Sequence, residues 1–132
     1  MIVVDTSVIV AVIRKEPDAS VWTDILDRTS RAVMSVVSHV ETGIVIAGRR
    51  ADAELFQVNE VLRALSIDVI PVTLAQGVTA IEAFLKYGKG RHPARLNLAD
   101  CFSYSLAKSQ NVPLLFKGGD FTKTDIVPVW RP

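Results

Sequence analysis

Short apolar runs alternate along the chain with longer segments in which apolar residues recur at helical spacing. The short runs are rich in β-branched residues, which is typical of buried strands. They predict strands at residues 1–4, 32–37, 67–72 and 113–116, with an edge strand at 126–130, where Pro128 is tolerated. The segments between them predict helices at residues 7–14, 18–28, from 38 onward, 52–65, 73–88 and 97–110. This alternation predicts an α/β sandwich built on a mainly parallel sheet.

Three helices carry more specific expectations. Ser38 is expected to begin the third helix, so that Glu41 lies in its first turn as in a capping box. The segment 52–65 repeats apolar residues at positions 55, 58, 62 and 65. Thr73 is expected to cap the next helix. The buried side of that helix is expected to carry Leu74, Val78, Ile81 and Leu85.

Length and composition fit one domain over residues 1–132. Of the 132 residues, 49% are apolar and 22% are charged, and we find no repeat, low-complexity tract or linker. The longest apolar run, residues 8–13, is far shorter than the ~18 residues of a membrane span. The N-terminus resembles neither a secretory signal nor a transit peptide, so we expect a cytoplasmic protein. The single Cys101 excludes an internal disulfide, and two histidines do not supply a structural zinc site.

The charge of the chain is balanced overall but unevenly distributed. With 15 basic and 14 acidic residues, no global field attracts nucleic acid or an anionic membrane. Positions 86–123, however, contain seven basic residues and only two acidic ones, Asp100 and Asp120. A positive rim is therefore expected around a few isolated carboxylates.

Four acidic residues are predicted to follow strands or to begin helices on one edge of the sheet. They are Asp5, Glu41, Asp100 and Asp120. Each could be structural by itself, as a helix cap or a turn residue. Together they would repel one another unless a cation lay between them. Carboxylate oxygens suit Mg²⁺ or Mn²⁺, and such an ion could activate a water and polarise a phosphoryl oxygen.

The positive charge of the loop before the last predicted helix suggests a substrate that carries phosphate groups. Residues 86–95 contain four permanent cations and no acid, immediately before the helix that carries Asp100. Such a loop could hold phosphates, although charge runs are commonly solvated surface. The candidate phosphate contacts are Lys89, Arg91, Arg95 and, beyond the fourth strand, Lys117.

Three segments in order give the chain a resemblance to a known family. They are the opening Ile2-Val3-Val4-Asp5-Thr6-Ser7, the segment Arg95-Leu96-Asn97-Leu98-Ala99-Asp100-Cys101 and the segment Leu114-Leu115-Phe116-Lys117-Gly118-Gly119-Asp120-Phe121. With Glu41 between the first two, the chain resembles a PIN-domain ribonuclease, specifically the VapC toxins of toxin-antitoxin pairs. The resemblance covers essentially the whole chain and implies a PIN-like α/β/α sandwich.

The resemblance also implies the chemistry and the partners. It makes Asp5, Glu41, Asp100 and Asp120 the catalytic, metal-binding quartet, with Mg²⁺ or Mn²⁺ as the cofactor. A hydroxyl of Ser7 or Thr6 would support the site, with Asn97 and Asp125 as further polar supports. The implied activity is endonucleolytic RNA hydrolysis, with tRNA or rRNA loops as targets. The implied partners are a VapB-type antitoxin and a second copy of the chain.

One departure from the family pattern leaves an alternative open. Relatives often have Asp or Asn where this chain has Gly119, which removes a polar group beside Asp120. The chain could therefore be a weak or inactive PIN-like module that binds RNA or protein without cleaving it. A phosphatase with a nucleophilic aspartate fits less well, because Ser7 stands where its second acid is expected.

Overall fold

The computed structural model describes residues 1–48 and 52–130. Its parallel sheet has four strands within these residues, in the order β3-β2-β1-β4. The strands are β1 (Ile2–Val4), β2 (Ala32–Ser35), β3 (Ile67–Ile70) and β4 (Leu114–Leu115). The chain adds strands on one side of β1 and then returns to its other side for β4. The strand order therefore reverses between β1 and β4, where α/β proteins commonly bind ligands.

Helices cover both faces of this sheet. They are α1 (Thr6–Ile13), α2 (Ala19–Asp27), α3 (Val36–Ala47), α4 (Asp52–Ala64), α5 (Leu74–Tyr87) and α6 (Leu98–Gln110), with a 3₁₀ turn at Phe121–Lys123. In β1, Ile2 and Val4 pack toward α1, α2 and α4, whereas Val3 packs toward α5 and α6. This alternation gives the sheet a separate apolar core on each face. The predicted α/β/α sandwich is therefore confirmed.

The N-cap of the third helix lies three residues earlier than the sequence pattern predicts. Ser35 is its N-cap, and the Ser35 hydroxyl accepts a hydrogen bond from the Val37 amide. The predicted start at Ser38 and the capping box with Glu41 are wrong, because the β-branched pair at 36–37 is helical rather than extended. Glu41 consequently lies in the second turn of α3, and the side chain of Ser38 points inward, fully buried.

The buried side predicted for α5 is also wrong. The helix does begin after the cap Thr73, but Leu74 is 87% exposed and Ile81 is 64% exposed. Val78 and Leu85 are half exposed as well. Small residues face the core instead, including Ala80 and Ala83, and they let α5 pack against α6. Among the described residues, none covers the apolar face of α5.

Other predicted elements differ mainly at their ends. In α4, Val58 and Leu62 are buried as the spacing predicts, whereas the side chain of residue 55 lies outside the described part of the chain. The predicted edge strand at 126–130 forms only one parallel bridge, between Pro128 and Leu114. In the described part of the chain, no helix is both long and apolar enough to cross a membrane.

Candidate functional site

Asp5 follows β1 and is held at the reversal of the strand order. It is the N-cap of α1 and is only 4% exposed. Its Oδ2 accepts hydrogen bonds from the Ser7 amide at 3.1 Å and the Ser7 hydroxyl at 2.7 Å. The Ser7 hydroxyl oxygen in turn accepts from the Lys117 amide at 3.0 Å, just beyond β4. Ser7 therefore links the Asp5 carboxylate, which follows β1, to the segment that follows β4.

The second oxygen of Asp5 is held by a residue that sequence reasoning missed. The Ser103 hydroxyl of α6 donates to Asp5 Oδ1 at 2.7 Å. Ser103 is fully buried, and its hydroxyl lies 2.8 Å from the hydroxyl of Ser38 on α3. The available sequence signal was a serine three positions after Asp100, which is the spacing of one helical face.

Glu41 on α3 is partly buried and lies near Asp5. Burial raises the pKa of Glu41, and the negative charge of Asp5 raises it further. The nearby Thr6 hydroxyl acts on the pKa of Glu41 in the opposite direction. The single proton of that hydroxyl is donated to the Ser38 carbonyl at 3.0 Å, which links the start of α1 to α3. Thr6 therefore lies between two of the predicted acids.

Asp100 and Asn97 form a capping box at the start of α6. The Asn97 side chain accepts from the Asp100 amide at 2.8 Å, and Asp100 Oδ2 accepts from the Asn97 amide at 2.9 Å. Burial nevertheless raises the pKa of Asp100 to about 7. The Asn97 amide opposes this shift, while the charges of Asp5, Glu41 and Asp120 add to it.

Asp120 lies at the exposed rim of the site. It begins the 3₁₀ turn, and its side chain caps no amide there. Its charge still reaches Asp100 and raises the pKa of that carboxyl. Gly119 beside it has no atom within 4 Å of where a side chain would begin, so a larger residue would fit there. The four predicted acids thus influence one another electrostatically.

The site has negative charge without a basic partner among the described residues. The ion pairs found in residues 1–48 and 52–130 involve other acids. Within the same residues, no three acidic, histidine or cysteine side chains already lie close enough to hold a metal together. The donor set itself suits a hard cation, because it consists of carboxylate and hydroxyl oxygens. An ion bound here would keep part of its water shell, as Mg²⁺ usually does.

The basic loop, residues 88–95, is shaped by backbone hydrogen bonds. The Lys89 amide donates to the Leu96 carbonyl, and the Arg91 amide donates to the Gly88 carbonyl. Gly88 is required, because a side chain would begin 2.4 Å from the Phe84 carbonyl oxygen. Arg95 has a left-handed backbone with φ of 55°, which a non-glycine residue adopts only at some cost.

The side chains of this loop are directed to solvent. Lys89, Arg91 and Arg95 are all exposed. The Arg91 guanidinium lies 5.9 Å from the centre of the Phe84 ring, where a cation is attracted to the aromatic face. The loop therefore presents three cations on a fixed backbone next to the start of α6.

Two predicted site residues are engaged elsewhere. The Lys117 ammonium is paired with Glu16 and with Asp18, the latter at 3.0 Å, so its charge is already neutralised within the chain. The phosphate contact expected of the Lys117 side chain stays a prediction, and it would require the ammonium to leave these two carboxylates. Asp125 accepts hydrogen bonds from Tyr104 at 2.6 Å and Lys108 at 2.8 Å. Asp125 therefore supports the middle of α6 and not the carboxylate site.

Comparison with known proteins adds to this geometry. Residues 2–127 match the PIN domain family. The chain is 42% identical over 130 residues to the ribonuclease VapC30 of Mycobacterium tuberculosis, an alignment that covers 98% of this chain and 99% of the relative. The crystal structure of Mycobacterium tuberculosis VapC20, a sarcin-ricin loop cleaving toxin, matches with a TM-score of 0.79 at 18% identity over 100% of both chains.

A second solved structure shows the same fold in an assembly. It is a toxin-antitoxin complex from Klebsiella pneumoniae, with a TM-score of 0.69 and 16% identity. The match covers 95% of this chain and 93% of the other. At such low identities these two structures support the fold, whereas the 42% identical relative supports the family.

Proposed function

The chain belongs to the PIN-domain family and, within it, to the VapC ribonucleases, and from this premise we propose that it is the toxin of a VapBC toxin-antitoxin pair. Its activity would be divalent-metal-dependent, endonucleolytic hydrolysis of RNA. The observation that carries the proposal is the group of four acids at the strand reversal. Burial raises the pKa of Asp100 to about 7, and the charges of Asp5, Glu41 and Asp120 add to that shift.

Enzymes of this family generally depend on a divalent metal, and the oxygen donors of this site fit Mg²⁺ or Mn²⁺. Asp5, Glu41, Asp100 and Asp120 are the residues that would hold the ion. A bound divalent ion acidifies a water molecule and stabilises the charge that develops on a phosphoryl oxygen. The chain's own part is to fix the carboxylates, through Ser7 and Ser103 for Asp5 and through Asn97 for Asp100.

The basic loop is the proposed contact for RNA phosphates. Its exposed cations Lys89, Arg91 and Arg95 follow α5 and precede the helix that carries Asp100. Because phosphate contacts release counterions, each contact steepens the salt dependence of binding. We expect the double variant Arg91→Ala, Arg95→Ala to bind RNA more weakly and to reduce that slope by about 1 to 2. An unchanged slope, measured by fluorescence anisotropy at several salt concentrations, would make the loop ordinary solvated surface.

The uncovered apolar face of α5 is the proposed homodimer contact. Leu74, Val78, Ile81 and Leu85 lie on this face, and Leu98 at the start of α6 is 73% exposed beside it. Large apolar patches of this kind typically mark protein interfaces. Ile81→Glu should therefore convert a dimer into a monomer in light scattering, whereas Glu82→Gln on the same helix should leave the mass unchanged. A wild-type monomer at micromolar concentration would contradict this assignment.

The proposed partners are RNA and a VapB-type antitoxin. The antitoxin would inhibit the protein by covering the carboxylate site and would thereby keep RNA away from it. We propose that the protein cleaves RNA, under the control of this inhibitor, in the cytoplasm. The RNA target, whether tRNA or rRNA, would be identified by mapping new RNA ends after expression of the chain without its antitoxin.

The direct test is metal-dependent cleavage of a panel of labelled tRNAs and rRNA fragments. We expect cleavage with Mg²⁺ or Mn²⁺, loss of cleavage in EDTA, and loss in Asp100→Asn. Asp125→Asn is the matched control, since it removes a carboxylate from the same half of the chain but outside the site. RNA binding without cleavage by the wild type would favour the binding module instead. Cleavage retained by Asp100→Asn would overturn the metal-dependent mechanism.

A further inference from the structure

The two oxygens of Asp5 are not equally free. An ionised carboxylate accepts about two hydrogen bonds on each oxygen and donates none. Oδ2 already accepts from both the amide and the hydroxyl of Ser7. In the part of the chain that the structure describes, Oδ1 accepts only from Ser103. Oδ1 therefore keeps an unused lone pair, and the hydroxyl of Ser103 fixes the direction in which it points.

The direction of the hydrogen bonds follows from the same accounting. Because Asp5 can only accept, the Ser103 hydroxyl must donate its one proton to Oδ1. The Ser38 hydroxyl, 2.8 Å from that of Ser103, must then be the donor of the second bond. The chain runs from Ser38 to Ser103 to Asp5, and each bond in such a chain strengthens the next.

The serine pair also sets the spacing of the helices that carry the other acids. Ser38 and Glu41 are three residues apart on α3, and Asp100 and Ser103 are three residues apart on α6. Residues at this spacing share one face of a helix. The contact between the two serines therefore fixes the separation of α3 and α6 one turn away from Glu41 and Asp100. The Thr6 hydroxyl adds α1 to this junction through its bond to the Ser38 carbonyl.

We infer that Ser103, backed by Ser38, is a positioning residue that directs the free Oδ1 of Asp5 toward the bound cation and holds the three helices at the spacing that cation requires. This inference rests on the proposed function, because it assigns a role within the same site. Ser103 does not touch RNA, since it is fully buried. It acts on the cation only through Asp5.

The α6 helix contains a close control. Ser105 is also fully buried, but its hydroxyl donates to the Gln76 carbonyl at 2.6 Å, away from the acids. Ser103→Ala and Ser105→Ala each remove one buried hydroxyl and one hydrogen bond from the same helix. A purely structural role predicts the same effect on metal binding for both variants.

The experiment is titration of the RNA-free protein with Mn²⁺ by calorimetry, together with cleavage at increasing Mn²⁺. We expect Ser103→Ala to bind Mn²⁺ about 10-fold more weakly, which is typical for loss of a residue that orients a metal ligand. Ser38→Ala should show a smaller loss, and Ser105→Ala should match the wild type. Saturating Mn²⁺ should restore most of the cleavage by Ser103→Ala, because the acids themselves are intact.

Each outcome separates the two proposals. Equal Mn²⁺ affinity for Ser103→Ala and the wild type would overturn the positioning role and leave the proposed function standing. Equal losses in Ser103→Ala and Ser105→Ala would likewise reduce the effect to general destabilisation. If Ser103→Ala does not fold, unchanged affinity in Ser38→Ala would overturn the inference. A wild type that binds no Mn²⁺ would overturn both proposals.

Discussion

Two groups of carboxylates in this chain differ in how their charge is balanced. Asp18 and Asp125 each meet a lysine; hydrogen bonding to Lys117 lowers the pKa of Asp18, and hydrogen bonds from Lys108 and Tyr104 outweigh burial to lower that of Asp125. At the strand reversal, burial and neighbouring acids instead raise the pKa of Glu41, and raise that of Asp100 to about 7. Lysine side chains therefore balance the charges of Asp18 and Asp125. At the strand reversal, hydroxyl and amide groups hold the carboxylates by hydrogen bonds and leave their negative charge in place.

This difference indicates what each group contributes. The paired acids stabilise the fold modestly, as exposed ion pairs generally do. The acids at the reversal oppose folding when all are ionised, because like charges in a partly buried site repel one another. The same repulsion increases the affinity for an added cation. We therefore expect the two groups to respond in opposite directions to substitution, to pH and to metal.

The largest expected effect is on cleavage by Asp100→Asn. Loss of a metal ligand should lower the rate by more than the ~10- to 100-fold typical of residues that only orient a ligand. The same substitution should raise the metal-free stability at pH 8, because it removes a charge from a repelling cluster. Rates from a gel assay and unfolding in urea with EDTA check both parts. Asp125→Asn should do the reverse, with unchanged cleavage and lower stability.

The second effect is the pH dependence of the stability of the metal-free protein. The pKa of Asp100 lies above its ordinary value of 3.8, at about 7, so the folded state holds this proton more tightly. Between about pH 4 and pH 7, metal-free stability should therefore fall as the pH rises, by at most about 1.4 kcal/mol per pH unit from this group. The lowered pKa of Asp125 acts the other way and costs stability only as the pH falls below about 4. Urea unfolding from pH 3 to pH 8 in EDTA should show a maximum near pH 4–5.

The control for this pH profile is Asp100→Asn. Its stability should vary less between pH 5 and pH 8, while the loss below about pH 4 should remain. A wild-type profile that rises steadily from pH 4 to pH 7 would contradict the raised pKa of Asp100.

The third effect is stabilisation by metal. At pH 8, Mn²⁺ at 100 times its dissociation constant should stabilise the wild type by about 2.7 kcal/mol. The melting temperature should rise accordingly, by about 10 °C for a domain of this size. At pH 5 the gain should be smaller, because protons compete for the same carboxylates. A Tm that rises equally in Asp100→Asn would indicate binding elsewhere.

The smallest effect is expected from the paired acids. Lys108→Met leaves Asp125 without its ammonium partner but keeps the bond from Tyr104. Since the pair is largely exposed, the loss should be about 0 to 1 kcal/mol, and Mn²⁺ affinity should not change. A large loss of metal affinity would mean that the two groups of acids are coupled through α6.

The sequence predicts the order of strands and helices better than it predicts which side chains pack together. Strand and helix order follow from local periodicity, and the four acids are predicted to converge because each follows a strand or lies near the start of a helix at one edge of the sheet. The sequence pattern predicts the wrong buried side for α5, because alanines such as Ala80 and Ala83 on the opposite side are also apolar. Periodicity shows that a helix has an apolar face, but not whether small residues pack more closely on the other side.

The missed residues depend on how separate helices align. Ser38 resembles a helix cap in the sequence, and only the earlier cap at Ser35 turns its hydroxyl into the core. Ser103 lies 98 residues from Asp5, so their bond depends on the packing of α6 against β1. The sequence shows the charge of Lys117, from which a contact with RNA is predicted, but not its partners Glu16 and Asp18.

The Ser7 hydroxyl joins the Asp5 carboxylate to the Lys117 amide, which lies 110 positions after Ser7 in the chain. During translation, a ribosome therefore releases Asp5 long before the segment that completes its surroundings has been made. A nascent chain that ends before the fourth strand contains neither the Lys117 amide nor Asp120. Cleavage competence should consequently appear only after residues 117–120 have left the ribosome, so an inhibitor present there could bind the nuclease as its site first forms.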